Sequence, residues 1–270
     1  MTLRLGWCFV LTLVLIDPAW AQTHPLRGRE SVEPDQPVQP RLPTLVPRAP
    51  QQSVAPSGPS QPPAPPFTLT PQEEARVDRV LNQWEERNRN TKTFDCRFKR
   101  WMYDVVFGSA SKAKFVDVGV IKYAAPDRGM FRVEATEKDG KETSIEDARA
   151  EHWVSDGKSI FEFSSAKKQL IEHKLPPELQ GKAIANSPLP FLFGADAQKL
   201  KQRYWIRNIT PSDVQDRIWL EAYPRFQQDK ANFHHAHFII AVPGMSPFAL
   251  RLYQPNEKDY TVYQLSLIHI

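Results

Sequence analysis

Apolar and polar positions recur with two different periods along this chain, and the change of period marks where its elements begin. Val77, Val80, Leu81 and Trp84 fall at i, i+3, i+4 and i+7, which is one stripe of an α-helix. Thr70 supplies an N-cap, Pro71 suits the first helical position, and Glu73 completes a capping box. A helix is therefore predicted from residue 71 to about 88–90, with its stripe laid on a sheet. From Phe94 the period becomes two. Phe94, Cys96 and Phe98 alternate with Asp95, Arg97 and Lys99, and the apolar phase then moves to Trp101, Tyr103 and Val105, as a bulge or bend would cause.

Further strands are predicted at 115–123, 130–135, 151–163 (a hairpin), 169–175, 203–209, 217–222, 231–242, 249–253 and 260–264. In the hairpin, Ser155-Asp156-Gly157-Lys158 provides the positive-φ corner that a tight turn needs. Most connections are of hairpin length, so the predicted architecture is α+β: an antiparallel sheet curved toward an unclosed barrel, covered by helices. Ser187-Pro188-Leu189-Pro190-Phe191-Leu192-Phe193-Gly194 is apolar but broken by proline. It suits a plug or lid over the mouth of such a sheet better than a central strand.

Composition changes this picture at both ends. Residues 1–21 read as an export signal: Arg4, an apolar run from Leu5 to Ile16, then Ala19-Trp20-Ala21 before Gln22. The expected location is the periplasm, with the chain soluble after cleavage. Residues 22–66 hold thirteen prolines and read as a Pro-rich linker without a core. Residues 67–264 remain, about 200 residues and ample for one domain. Residues 265–270 read either as a translated read-through tail or as an extension of the last strand. Cleavage removes Cys8 and leaves Cys96 alone, so no intramolecular disulfide is expected, and its period-2 setting predicts a buried thiol.

Net charge is +4, with basic and acidic residues interspersed, and no basic stripe with stacking aromatics argues for nucleic acid. Neither G-x-S-x-G nor H-E-x-x-H occurs. Gly157-Lys158-Ser159 lacks the first glycine of a phosphate loop, because His152 stands there. No enzyme activity, cofactor or metal is expected. His235 and His237 share one strand face and offer two ligands, with His152 or His173 as the nearest suggestion for a third.

Taken in order, the pieces resemble the bacterial outer-membrane lipoprotein-carrier (LolA-like) family, as a divergent member with an N-terminal Pro-rich extension. The matching residues are Thr93 to Phe98, Gly119 to Val133 with its Pro126 turn, Val154 to Lys158 and the apolar segment 187–194. The family often has an arginine directly before the strand-ending proline, where Ala125 stands here, with Arg128 just past the turn. The resemblance implies an apolar cavity that encloses lipid or lipoprotein acyl chains, where each methylene withdrawn from water is worth about 0.8 kcal/mol. It implies Phe98, Trp101, Phe131, Trp153, Phe161 and Phe163 as cavity wall, and Leu189, Phe191, Leu192 and Phe193 as lid. The implied partners are acyl chains and membrane-bound donor and acceptor proteins, met by a monomer. The other reading of the same fold is a cargo-free protein-interaction or sensor module.

Overall fold

A computed structural model describes residues 64–145, 149–165, 167–181 and 196–269. Helix α1 (Pro71–Asn90) begins as its sequence dictates. The Thr70 hydroxyl accepts from the Glu73 amide at 3.3 Å, and the Glu73 carboxylate accepts from the Thr70 amide at 2.8 Å. Its buried residues are Val77, Val80, Leu81 and Trp84, and the Trp84 ring lies 4.6 Å from that of Phe238.

Twelve strands follow: β1 (Thr93–Tyr103), β2 (Phe115–Ala124), β3 (Arg128–Lys138), β4 (Lys141–Ser144), β5 (His152–Ser155), β6 (Ser159–Ser164), β7 (Gln169–Lys174), β8 (Tyr204–Asn208), β9 (Arg217–Pro224), β10 (His235–Ala241), β11 (Ser246–Tyr253) and β12 (Tyr260–His269). They form one antiparallel sheet in the order β7-β6-β5-β3-β2-β1-β12-β11-β10-β9-β8, with β4 paired to β3 beside this path. The sheet is curved and does not close, as expected. Two short helices, α2 (Ala197–Arg203) and α3 (Gln227–Lys230), and a single 3-10 turn at Pro177–Leu179 complete the described elements. Among the described residues no helix is long and apolar enough to cross a membrane.

One face of the sheet carries α1. Val77, Leu81 and Trp84 join Phe94, Cys96, Phe98, Phe131, Leu220, Phe238 and Leu250 in a single core. Salt bridges from Lys201 to Asp78 (2.6 Å) and Glu74 (3.1 Å) hold α2 against α1. Arg87 donates to the Gly244 carbonyl at 2.8 Å and ties the end of α1 to the β10–β11 turn. In the β5–β6 hairpin, Asp156 Oδ1 accepts from the Lys158 and Ser159 amides, and Gly157 takes φ 88°.

One predicted feature of β1 is absent. Burial alternates without a slip through Phe94, Cys96, Phe98 and Arg100, so Arg100 takes the fourth inward position and Trp101 faces away. Register shifts fall elsewhere: between β2 and β3, where Val118 faces Ala135 and Gly119 faces Val133, leaving Glu134 as the extra residue, and between β1 and β12 at Asp95 and Cys96. Strand β4 and helices α2 and α3 lie outside the predicted elements. Beyond Gln264, β12 stays paired with β1 through Cys96 and Leu267, and after a register shift that skips Ile268 it ends on the pair Asp95 and His269.

Cys96 is buried, and burial, with the nearby Asp95 charge, pushes its thiol up to about 12. In the folded chain it should resist alkylation by iodoacetamide at pH 8 and react once denatured, as peptide mass mapping would read out. A raised pKa of this kind stabilises the fold below the ordinary thiol value of about 8.5, and that contribution is lost as pH rises toward 12.

Candidate functional site

Cross-strand pairing carries three of the six expected wall residues to the helix-covered face. Phe131 pairs with Trp153 on one side and Ile121 on the other, and Ile121 pairs with Cys96. The Phe98 and Phe131 rings stack at 4.9 Å, and Phe131 stacks on Trp153 at 5.8 Å. Tyr263 closes the group from β12, 5.9 Å from Phe98. Phe98 and Phe131 are buried and Trp153 is half-buried, so the stack runs from the core toward the β5–β7 flank.

The other three lie on the opposite face. Trp101 is displaced there because Arg100 points inward, and the Lys99 ammonium sits 5.3 Å from its ring. On β6 the inward positions belong to Ile160, Glu162 and Ser164, which turns Phe161 and Phe163 outward. Glu162 is held by His173 at 3.4 Å, and Phe163 stacks on His152 at 4.4 Å. Leu189, Phe191, Leu192 and Phe193 lie outside the described residues.

Beside the aromatic stack is a buried ionic cluster that alternation does not reveal. Arg100, only 3% exposed, donates to Asp117 at 2.9 Å and to Glu151 at 2.6 Å. Asp117, fully buried, also accepts from Arg149 at 3.1 Å, and the Arg149 guanidinium lies 4.2 Å from the centre of the Phe115 ring. Burial opposes the Arg100 charge, but Glu151 and Asp117 outweigh it and hold its pKa above the ordinary value. The same environment raises the pKa of Tyr263, through burial first. Asp117 within β2 and Glu151 just before β5 were the signal in the sequence, but their meeting with Arg100 needed the assembled sheet.

An open hollow of about 830 Å³ lies at the other end of β1, β2, β3 and β5, with Met130 and Val154 against the charged groups of Lys122, Arg128, Asp156 and Lys158. Arg128, exposed at the start of β3, belongs to these walls. Its mixed lining suits a polar surface contact better than an acyl chain.

The face away from α1 holds a second cluster. His235 stacks on Tyr253 at 3.9 Å and on Tyr223 at 5.0 Å, while Tyr103 stacks on Tyr260 at 4.4 Å. Rings packed face to face present their edges outward, so this row is a poor platform for stacking a flat ligand. His237 Nε2 lies 3.2 Å from Glu221 Oε1, and Arg207 bonds to the other oxygen of the same carboxylate. Burial works against the Glu221 charge, but hydrogen bonds from His237 and Arg207 prevail and draw its pKa down to about 2. Burial, with His237 nearby, lowers His235 to about 4. Ligand atoms of Glu221, His235 and His237 all lie within 4.8 Å of one another. The third member is thus Glu221, from β9. His152 and His173 belong to β5 and β7, in the other half of the sheet.

No family model matches the sequence, and no curated protein matches it. Solved structures similar to this chain include an uncharacterized conserved protein from Thermus thermophilus (10% identity, TM-score 0.41, covering 71% of this chain and 85% of that one). A LolA superfamily protein, NE2245 from Nitrosomonas europaea, is similar at 9% identity and TM-score 0.33, over 70% of this chain and 91% of that one. The MucA/MucB complex of Pseudomonas aeruginosa is similar at 16% identity and TM-score 0.38, over 72% of this chain and 58% of the other.

Proposed function

We propose that this protein binds an apolar chain, the acyl chain of a lipid or lipoprotein, non-covalently on the helix-covered face and carries or buffers it in the periplasm. The observation that supports this most is the Phe98–Phe131–Trp153 stack, which passes from full burial to a partly buried indole. A partly buried aromatic that is continuous with a core offers an acyl chain a place to continue that core, at about 0.8 kcal/mol for each methylene covered. The segment 187–194 would then serve as the lid that its sequence suggests.

Trp153→Asp is expected to weaken binding of a fluorescent fatty acid at least about tenfold, since an aromatic wall contributes about 1.5–3 kcal/mol. Native mass spectrometry of the protein purified without detergent should show a bound lipid or acylated peptide. An apo mass, with no uptake of added fatty acid, would sink the reading.

That outcome would favour a protein-interaction module, for which one observation also speaks. Phe163 and Leu170 are cross-strand partners on the face away from α1, 37% and 58% exposed at the β6–β7 edge.

A further inference from the structure

We propose that Glu221, His235 and His237 bind one divalent transition-metal ion, such as zinc, on the sheet face opposite α1. Two imidazoles and a carboxylate are a donor set that such ions favour, and three protein ligands leave a position open to water. The set is built by the sheet rather than by a loop. His235 and His237 are two residues apart on β10 and share a face, and Glu221 is the register partner of His237 on β9.

Proton placement around the site leaves a lone pair where a metal needs it. Nε2 of His234 lies 3.3 Å from the Glu257 carboxylate, a position that suits an N–H on Nε2 and leaves the lone pair on Nδ1. That Nδ1 lies 2.9 Å from Nδ1 of His235, and with the lone pair on His234 the proton of this contact belongs to His235 Nδ1. In this tautomer Nε2 of His235 is the nitrogen that offers its lone pair to the ion. The chain Glu257–His234–His235 has the form of the outer support that metal-ligating histidines usually have.

The carboxylate is prepared in the same way. Arg207 occupies Oε2 of Glu221 and leaves Oε1 directed at His237. Nδ1 of His237 is buried and has no hydrogen-bond partner among the described residues, so it can carry the ring proton while Nε2, which faces Oε1 of Glu221, gives its lone pair to the ion. Arg251, opposite His237 on β11, is turned to the Tyr253 hydroxyl at 3.2 Å and lies over the Tyr260 ring. The arginine charges of Arg207 and Arg251 are balanced by Glu221 and Glu257. A tetrahedral ion with bonds of about 2.0–2.2 Å places its ligand atoms about 3.3–3.6 Å apart, so side-chain rotation of about 1 Å closes the site from its present span.

The test is zinc titration of the EDTA-stripped full chain by calorimetry. One equivalent should bind, and His235→Ala and His237→Ala should each lower the affinity about 100-fold or more. His234→Ala should lower it about tenfold through the supporting contact, while His152→Ala and His173→Ala should leave it unchanged. Histidine side-chain NMR of the unaltered chain gives a reading that needs no variant to fold: the His235 and His237 signals should shift and saturate at one equivalent. Absence of binding, binding that leaves those two signals in place, or equal losses from His152→Ala and His173→Ala would each overturn the proposal.

Discussion

Gly119→Ala should lower the unfolding free energy by about 3 kcal/mol or more, which is a fall of about 6–12 °C in Tm for a domain of this size. Gly119 sits where β2 shifts register against β3, between Phe98 on one neighbour and Val133 on the other. A Cβ placed there would stand 2.1 Å from the Arg132 carbonyl oxygen and 2.6 Å from the Phe98 ring. Neither obstacle yields cheaply. The carbonyl belongs to the ladder, and the ring is locked between Phe131 and Tyr263. The methyl group must therefore separate β2 from β3 or push Phe98 out of its stack. Because the stack is the proposed acyl site, fatty-acid affinity should fall with stability, whereas Gly140→Ala, at φ 76° in the β3–β4 turn, should cost some stability through backbone strain and leave affinity unchanged. Thermal unfolding of both variants checks this, and a Gly119→Ala protein as stable as the parent would show that the strands can part at no cost.

Arg100→Met should be destabilising by about 3–5 kcal/mol, because it removes the main counter-charge from a carboxylate with no access to water. Asp117 would keep only Arg149, itself partly exposed, and Glu151 would lose its 2.6 Å partner. The loss should depend little on salt, since a buried cluster is poorly screened. Arg100→Met combined with Asp117→Leu should cost less than the sum of the two single changes, as residues in one network are coupled. Urea unfolding with a constant m-value measures the cycle. Additive losses would mean that the two side chains act independently despite their 2.9 Å contact.

Arg100 also shows where reading a pattern stops. Period-two alternation assigns faces by hydrophobicity, and a charged residue is taken to point outward. Here Asp117 and Glu151, 17 and 51 residues further along, neutralise it, so the alternation runs on and Trp101 is turned to the other face. Phe161 and Phe163 follow the same logic on β6, where Glu162 is accepted inside because His173 meets it. The third member of the histidine cluster was hidden for a related reason. Glu221 is one of many acidic residues in the chain, and only the β9–β10 register singles it out.

The features legible in the chain before folding are local ones. The capping box and apolar stripe of α1, the Asp156-Gly157 corner and the run of short strands each follow from residues within a few positions of one another. The antiparallel, open sheet follows from the hairpin-length connections. Which side chains share a face across strands is settled only in the assembled sheet, because that depends on register and bulges, and on whether a distant partner can satisfy a buried charge. The aromatic stack, the Arg100 cluster and the Glu221–His235–His237 group all lie on that second side. Each joins residues from two or more strands, and its members lie in contact only once the sheet has formed.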